Sequence, residues 1–248
     1  MMVLFNLSIW FIILLILGII LFIWGLYCFK RKRLMQSIPT SKIRSLAMGL
    51  VEIYGKVVPM SRTLKTPFTF LDCVYYRYTV QELRSSGKST HWVTIKKGHE
   101  DCLFYPRDET GSVLINPTGA KISIPVDNVF ETGLGRNPTA GVKQFLRNNS
   151  LSSEGKIFGF NKTMKFSEWF ISPNDKLYIL GTAADNPYRK EATASDSIED
   201  VMITKGKNQK TYYITDKHEQ YIIRNLNIYV ALGLGLGSLL IIVSLLFL

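Results

Sequence analysis

Residues 7–29 form an apolar segment without a single charged side chain, and a run of four cations follows at residues 30–33. An α-helix rises 1.5 Å per residue, so these 23 residues are long enough to cross a hydrocarbon core of roughly 30 Å. The apolar run is longer than the core of a signal peptide, and no small-residue cleavage motif follows it. The sequence therefore predicts a retained transmembrane helix, not a cleaved leader.

A second uncharged segment occupies residues 228–248, so every charged side chain falls between Lys30 and Arg224. The net charge of +11 therefore belongs to the middle of the chain. Two apolar ends around one charged middle predict a membrane hairpin that holds a single soluble domain. The predicted divisions are a short amino terminus (1–6), the first transmembrane helix (7–29), a basic juxtamembrane segment (30–37), a β-rich domain (38–226) and the second transmembrane helix (227–248).

The cationic run fixes the expected orientation. It consists of Lys30, Arg31, Lys32 and Arg33. Because basic residues next to a span resist translocation, we expect a multi-pass protein whose soluble domain is cytoplasmic and whose termini both lie on the opposite side. Each of these cations is worth roughly 1 kcal/mol against anionic lipid, so the lipid bilayer and its anionic headgroups are expected partners.

The soluble segment is rich in short β-branched and aromatic runs separated by Gly, Pro and polar turns. This pattern predicts a membrane protein with two transmembrane α-helices flanking a β-rich (α+β) domain of small barrel or sandwich type. A polar turn at residues 84–89 should join one hairpin, and residues 201–215 should form another. A short helix is expected from Thr40 or Ser41 to residue 48, and a mobile insertion at residues 131–155 around a helix at 142–148. The predicted strands are 50–58, 73–82, 90–96, 102–105, 113–115, 121–124, 164–171, 176–183, 201–204 and 211–215.

Residues 73–82 alternate in a way typical of a strand with one buried face. Val74, Tyr76, Tyr78 and Val80 fall on one face, and Arg77 falls on the other. Arg77 is either a contact for a carboxylate or lipid phosphate of a partner or a member of a structural ion pair. The candidate partner contacts are Tyr75, Arg77, Trp169 and Phe170, with the last two either in the core or in an apolar groove.

Small residues recur in both apolar segments. Gly18 and Gly25 are seven residues apart in the first, and Gly233 and Gly237 are four apart in the second. Such spacing lets helices approach closely, so we expect the two spans to pack on each other or on a second copy of the chain. The alternative is that these glycines are merely tolerated.

Candidate catalytic and metal sites are few. His91, His99 and Cys102 are the nearest approach to a ligand cluster, but their spacing matches no zinc pattern. Cys73 lies on a predicted half-buried strand without an evident base, which favours packing over nucleophilic chemistry. The sequence thus predicts no catalytic residue, no cofactor and no metal. It shows no stripe of basic residues interleaved with aromatics, so a nucleic-acid partner is not expected.

Several short motifs resemble a known family. They lie at 39–45 (PTSKIRS), 49–55 (GLVEIYG), 73–78 (CVYYRY), 91–92 (HW), 177–181 (LYILG) and 214–217 (ITDK). Together with the two spans they resemble the GIDE-type, or beside-a-membrane, domain of mitochondrial and chloroplast outer-membrane E3 ubiquitin ligases. The resemblance implies the two-span architecture and an association with ubiquitin ligation. In the mitochondrial relatives this domain faces the intermembrane space, whereas the cationic run here indicates the cytoplasm.

One departure from the ligases concerns zinc. A RING domain needs about eight Cys and His ligands in paired short spacings, and this chain has three Cys and three His with no Cys-x-x-Cys. We therefore expect a non-enzymatic, membrane-anchored protein that recruits a protein or lipid partner at the membrane surface. The alternative is a component of an E3 ubiquitin-ligase system whose RING is supplied in trans.

Overall fold

The chain divides into a helical unit and a β-rich unit. The computed structural model describes residues 2–36, 40–133, 135–151, 162–188, 200–207, 211–216 and 219–247. Residues 1–39 and 217–248 belong to the helical unit, and residues 40–216 form the β-rich unit. The predicted boundary at residues 37–38 lies outside the described residues. The helices are α1 (Met2–Gln36), α2 (Ala140–Asn148) and α3 (Glu219–Phe247).

Helices α1 and α3 both contain a stretch long and apolar enough to cross a membrane, Trp10–Arg33 in the first and Arg224–Leu246 in the second. They pack against each other within the helical unit. The Oγ of Ser244 in α3 donates a hydrogen bond of 2.5 Å to the backbone carbonyl of Phe11 in α1. The rings of Trp24 and Tyr229 lie 5.7 Å apart, centroid to centroid.

Short strands make up most of the β-rich unit, because β-branched and aromatic residues alternate with turn-forming residues along it. The strands are β1 (Gly49–Pro59), β2 (Leu64–Lys65), β3 (Asp72–Cys73), β4 (Tyr75–Ser86), β5 (Ser89–Asp101), β6 (Phe104–Arg107), β7 (Leu114–Ile115), β8 (Lys121–Ser123), β9 (Asn128–Thr132), β10 (Met164–Ile171), β11 (Lys176–Asp185), β12 (Val201–Thr204) and β13 (Tyr213–Thr215).

Five strands close into a small barrel in the order β1, β6, β7, β12 and β11. The ring is closed by antiparallel pairing of β1 with β11, from Gly49 opposite Ala183 to Lys56 opposite Lys176. Strands β13 and β8 extend the sheet beyond β11. The barrel interior is mainly aliphatic, with Ile53, Ile115, Leu177, Ile179 and Ile203 among its buried side chains together with the ring of Phe104. A β-rich domain with a barrel, flanked by two apolar helices, agrees with the predicted fold class.

A second sheet has the strand order β5, β4, β10 and β9. One face of it packs against α2 and forms a second, largely aromatic core. The members of that core are Phe68, Val80, Val142, Phe145, Leu146, Met164 and Phe166. Thr139 caps α2, because its Oγ1 accepts a hydrogen bond of 3.4 Å from the backbone N–H of Val142.

Phe68 joins the loop at residues 66–71 to this core. Its ring makes edge-to-face contacts, at centroid distances of 5.0 to 6.4 Å, with Tyr78, Phe130, Phe145 and Phe166. Its backbone N–H donates a hydrogen bond of 2.9 Å to the Oε1 of Glu168, which is fully buried. The loop also lies so close to α2 that a Cβ on Gly141 would fall 1.9 Å from the carbonyl oxygen of Phe68.

The structure corrects three local predictions. The turn expected at 84–89 is reduced to Gly87 and Lys88, because both strands continue across the remaining positions. The helix expected from residue 40 to 48 is a single 3₁₀ turn, Ile43–Ser45. The backbone N–H of Ile43 instead donates to the Oδ2 of Asp108, at 2.9 Å, which anchors this segment to a distant loop.

The third correction concerns the hairpin expected from residues 201–215. Strands β12 and β13 do not pair with each other within the described residues; both pair with β11. A strand has only two edges, and β1 occupies one edge of β11 over eight residues. Strands β12 and β13 therefore lie end to end along the other edge.

Part of the segment predicted as a mobile insertion is a helix that packs on the core. Val142, Phe145 and Leu146 of α2 are buried in the second core. Residues 152–155 of the predicted insertion lie outside the described residues. The helix is thus an integral part of the domain, while the mobility of the segment stays a prediction.

Phe68→Ala should lower the free energy of unfolding of the β-rich unit by about 3–5 kcal/mol, because it empties the centre of an aromatic core. Phe70→Ala is the matched control, since this ring in the same loop is 43% exposed and should cost less than about 1 kcal/mol. Urea unfolding of the full chain in detergent, followed by pulse proteolysis, measures both. Equal effects of the two variants would contradict this account of the second core.

Candidate interaction face

The four-stranded sheet has two unlike faces. Residues such as Tyr78, Val80 and Phe166 point towards α2, and their neighbours along each strand point the other way because side chains alternate. We call this second face the outer face. From the register, it carries Arg77, Thr79, Gln81 and Leu83 of β4, Lys165, Ser167 and Trp169 of β10, Val129 and Glu131 of β9, and Trp92, Thr94, Lys97, His99 and Asp101 of β5.

Arg77 and Trp169 lie directly opposite each other on β4 and β10. The guanidinium carbon of Arg77 is 4.4 Å from the centroid of the Trp169 ring, which is the geometry of a cation–π contact. The Nε of Arg77 is buried and has no hydrogen-bond partner among the described residues. Its charge is therefore stabilised by a ring and not by a carboxylate.

A second cation–π pair lies at the other end of the outer face. The Nζ of Lys165 is 5.8 Å from the centroid of the Trp92 ring, which is 39% exposed. Lys97, between the two pairs, is exposed. Within the described part of the chain, no acidic side chain lies within 4 Å of the charged nitrogens of Arg77, Lys97 or Lys165. Among the described residues, these three cations of the outer face are therefore not engaged in ion pairs.

The floor between these pairs is lined by small hydroxyl side chains. Thr79 and Ser167 lie opposite each other on the two central strands. Thr79 is half-buried and Ser167 is buried. Longer side chains flank this row, with Arg77 and Trp169 on one side of it and Gln81 and Lys165 on the other. Such a surface suits an anionic group, which accepts hydrogen bonds from all of these donors.

The structure separates the four residues predicted as partner contacts. Arg77 and Trp169 share the outer face, but Phe170 follows Trp169 on the strand and lies opposite Tyr76 on the other side of the sheet. Tyr75 is only 7% exposed and belongs to the barrel core. It is not available as a surface contact, because β4 begins where the two cores meet.

Trp92, Lys97 and Lys165 belong to the same surface and were not among the predicted contacts. The sequence gives little signal for them, because β5 and β10 are separated by more than sixty residues. Alternation within β10 places Lys165, Ser167 and Trp169 on one side of the strand. This part of the surface can be predicted from the sequence.

His91, His99 and Cys102 do not come together. The two histidines lie on opposite faces of β5, His99 on the outer face and His91 on the other, because one extra residue, Ile95, sits opposite the step between Val80 and Gln81. The neighbouring acids bond elsewhere: Glu100 accepts from the Tyr76 hydroxyl at 2.7 Å. Among the described residues there is no group of three or more potential metal ligands.

Cys73 is fully buried, and its Sγ lies 3.6 Å from the backbone carbonyl of Leu64. Burial, with smaller contributions from Cys102 and Glu168, raises the pKa of the Cys73 thiol to about 12. Burial also raises the pKa of Cys102. Both thiols are therefore kept protonated at neutral pH, which removes the thiolate that nucleophilic chemistry requires.

In the helical unit the predicted glycines face each other in two pairs. A Cβ on Gly25 would lie 2.8 Å from the carbonyl carbon of Gly233, and one on Gly18 would lie 3.1 Å from the carbonyl oxygen of Gly237. The two helix backbones thus approach closely at both levels. The cations Lys30, Arg31, Lys32 and Arg33 lie in the last two turns of α1, where the helix dipole favours positive charge.

Comparison with known proteins identifies one family. The model of the GIDE family, described as E3 ubiquitin ligase, matches residues 75–247, from the start of β4 to the end of α3. No curated protein and no solved structure gives a significant match to the chain.

In the folded protein, Cys73 should resist alkylation by iodoacetamide at pH 8, because a pKa of about 12 leaves roughly one thiol in ten thousand as thiolate. Unfolding removes the burial and should restore ordinary reactivity. Mass spectrometry of peptides after timed alkylation, with and without denaturant, measures this difference. Rapid modification of Cys73 in the folded chain would contradict this prediction and would indicate a reactive thiol.

Proposed function

The chain belongs to the GIDE family, described as E3 ubiquitin ligase, and on that premise we propose that it is a membrane-anchored, non-catalytic module that recruits a protein partner at the membrane surface. The observation that carries the proposal is the outer face, where Arg77, Lys97 and Lys165 have no acidic partner among the described residues. A surface that combines cations with hydroxyl side chains is suited to binding an anionic group.

Anchoring is the first part of this function. Large aliphatic side chains of α1 are well exposed in the helical unit, with Ile20 at 58% and Ile23 at 60%. Leaving such side chains in water costs about 25 cal/mol per Å² of apolar surface, whereas a bilayer accepts them. The facing glycine pairs support a two-helix hairpin, because close backbone approach is a common basis of helix association in lipid.

Orientation is the second part. The cations that end α1 favour placing the β-rich domain on the cytoplasmic side, with both termini on the opposite side and the basic run against anionic headgroups. In that arrangement the domain is tethered to the bilayer at both ends. It is then exposed to cytoplasmic proteins at the membrane surface.

The family match favours one alternative, a component of an E3 ubiquitin-ligase system. These 248 residues contain three Cys and three His, fewer than the roughly eight zinc ligands of a RING. In this alternative the domain binds the substrate, and a RING outside these residues carries out the ligation. A reconstituted ubiquitination reaction with a RING ligase, run with and without the chain, separates the readings: the alternative expects the chain to increase the yield of conjugates, whereas our proposal expects no change.

Replacing Lys30, Arg31, Lys32 and Arg33 together by Gln should give mixed membrane orientation, because the charge asymmetry that holds the domain in the cytoplasm is lost. A protease-accessibility reporter inserted after residue 60 measures orientation in intact cells. A control variant with Lys121, Lys176, Lys205 and Lys207 replaced by Gln loses the same charge within the domain and should keep the original orientation. A reporter accessible from outside in the unmodified protein would overturn the cytoplasmic assignment.

Partner recruitment is tested by photocrosslinking in the native membrane. A photoreactive residue at Thr94, on the outer face, should give a discrete protein adduct, because the partner covers that surface. The same residue at Lys56, which is exposed on the barrel, is the control and should not give that adduct. If neither position, nor others placed across the outer face, yields a discrete adduct, recruitment through this surface is wrong.

A further inference from the structure

We propose that the outer face binds an acidic segment of a partner protein in an extended conformation, with its carboxylates between Arg77, Lys97 and Lys165. This inference rests on the proposed recruiting function and names the chemistry of the partner. Three observations carry it: the cations without ion pairs among the described residues, the covered rings and the spacing of the cations.

None of the three cations of the outer face forms an ion pair within the described residues. Asp101 lies on the same face, and its Oδ2 accepts a hydrogen bond of 3.1 Å from Thr118. Glu131 lies opposite Lys165 in the register of β9 and β10 and is the nearest candidate to neutralise it. Its Oε2 instead accepts a hydrogen bond of 3.0 Å from Arg136. Burial of Arg77's Nε without an acceptor also favours an anionic ligand, because an unsatisfied buried donor costs about 1–3 kcal/mol. A carboxylate ligand supplies the missing negative charge and acceptors.

The two tryptophan rings are already covered by cations. Arg77 lies over the ring of Trp169, and Lys165 lies over the ring of Trp92. Proteins that bind single-stranded nucleic acid on a sheet stack bases on open aromatic faces. Here a base would first have to displace a cation from the ring. The rings hold the cations in place, and the surface is therefore better suited to binding carboxylates than to stacking bases.

The cations follow successive rows of the sheet. In the register, Arg77 occupies one row, Lys97 lies in the next, opposite Thr79, and Lys165 lies in the third, opposite Gln81. Rows on one face of a sheet are two residues apart, which is about 6.6 Å at 3.3 Å per residue. Alternate side chains of an extended peptide have the same repeat, so acidic residues at every second position match the spacing of the cations along the strands. The cations lie on three neighbouring strands, about 4.8 Å apart, and the length of the Arg and Lys side chains spans this sideways offset.

The test uses the full chain in nanodiscs of zwitterionic lipid and a short fluorescent peptide in which Glu alternates with Thr. Fluorescence anisotropy should show binding that weakens as ionic strength rises, and a Gln-Thr peptide should not bind. Arg77→Gln, Lys97→Gln and Lys165→Gln combined should weaken binding by about tenfold or more. The matched control replaces Lys56, Lys121 and Lys176 on the barrel by Gln, and it should change affinity by less than about twofold.

A second variant keeps the test informative if the triple substitution disturbs folding. Thr79→Glu places a carboxylate on the floor of the outer face and should weaken binding of the Glu-Thr peptide by like-charge repulsion. Equal losses in the outer-face triple and the barrel triple would overturn the proposal, because net charge alone would then explain binding. Tighter binding of a single-stranded oligonucleotide than of the peptide would also overturn it.

Failure of this inference is distinguishable from failure of the proposed function. If photocrosslinking from Thr94 captures a partner whose binding is unaffected by the outer-face triple, recruitment stands and the acidic chemistry is wrong. If no partner is captured while the acidic peptide binds as expected, the chemistry of the outer face stands and the recruiting function is wrong.

Discussion

Eight consecutive residue pairs join β4 to β10, from Tyr75 opposite Ile171 to Glu82 opposite Met164. This register decides which side chains enter the second core and which reach the outer face. Because the side-chain period of a strand is two, a slip of β4 by one residue against β10 would expose Val80 and bury Arg77. The aromatic core below the sheet therefore fixes the cationic surface above it, and the two cannot be altered independently.

Two buried glutamates fix the segments that surround these strands. Glu52 in β1 accepts hydrogen bonds from the hydroxyls of Thr40, at 2.7 Å, and Tyr178, at 2.8 Å. Glu168 in β10 accepts from the backbone N–H of Phe68, the hydroxyl of Thr69 and the side-chain amide of Asn128. Buried carboxylates must be satisfied in this way, since desolvation without partners is costly. Each one joins segments about a hundred residues apart, which gives the barrel and the second core their fixed connections.

The elements governed by local periodicity were predictable from the sequence. The apolar helices follow from length and lack of charge, and β10 and β11 follow from two strand-like runs separated by the turn at residues 172–175, β10 with the predicted bounds Met164–Ile171. Pairing between distant strands was not predictable. The positions of β12 and β13 beside β11 depend on which edge β1 leaves open, and the contact of Lys165 with Trp92 requires three strands in register. Tyr75 was misassigned for the same reason, because local alternation does not reveal where a second core begins.

Weak recognition is sufficient for a domain tethered to a bilayer. Exposed ion pairs are typically worth 0.2–1 kcal/mol each, so three cations on a shallow surface yield modest affinity in solution. When the partner is held at the same membrane, encounter becomes nearly intramolecular, and the effective concentration rises to roughly the millimolar range. The facing pairs of Gly25 with Gly233 and Gly18 with Gly237 bring the two apolar helices close together, which supports the proposed two-helix anchor. Affinity that is too low for a free protein is then enough, and the interaction stays readily reversible.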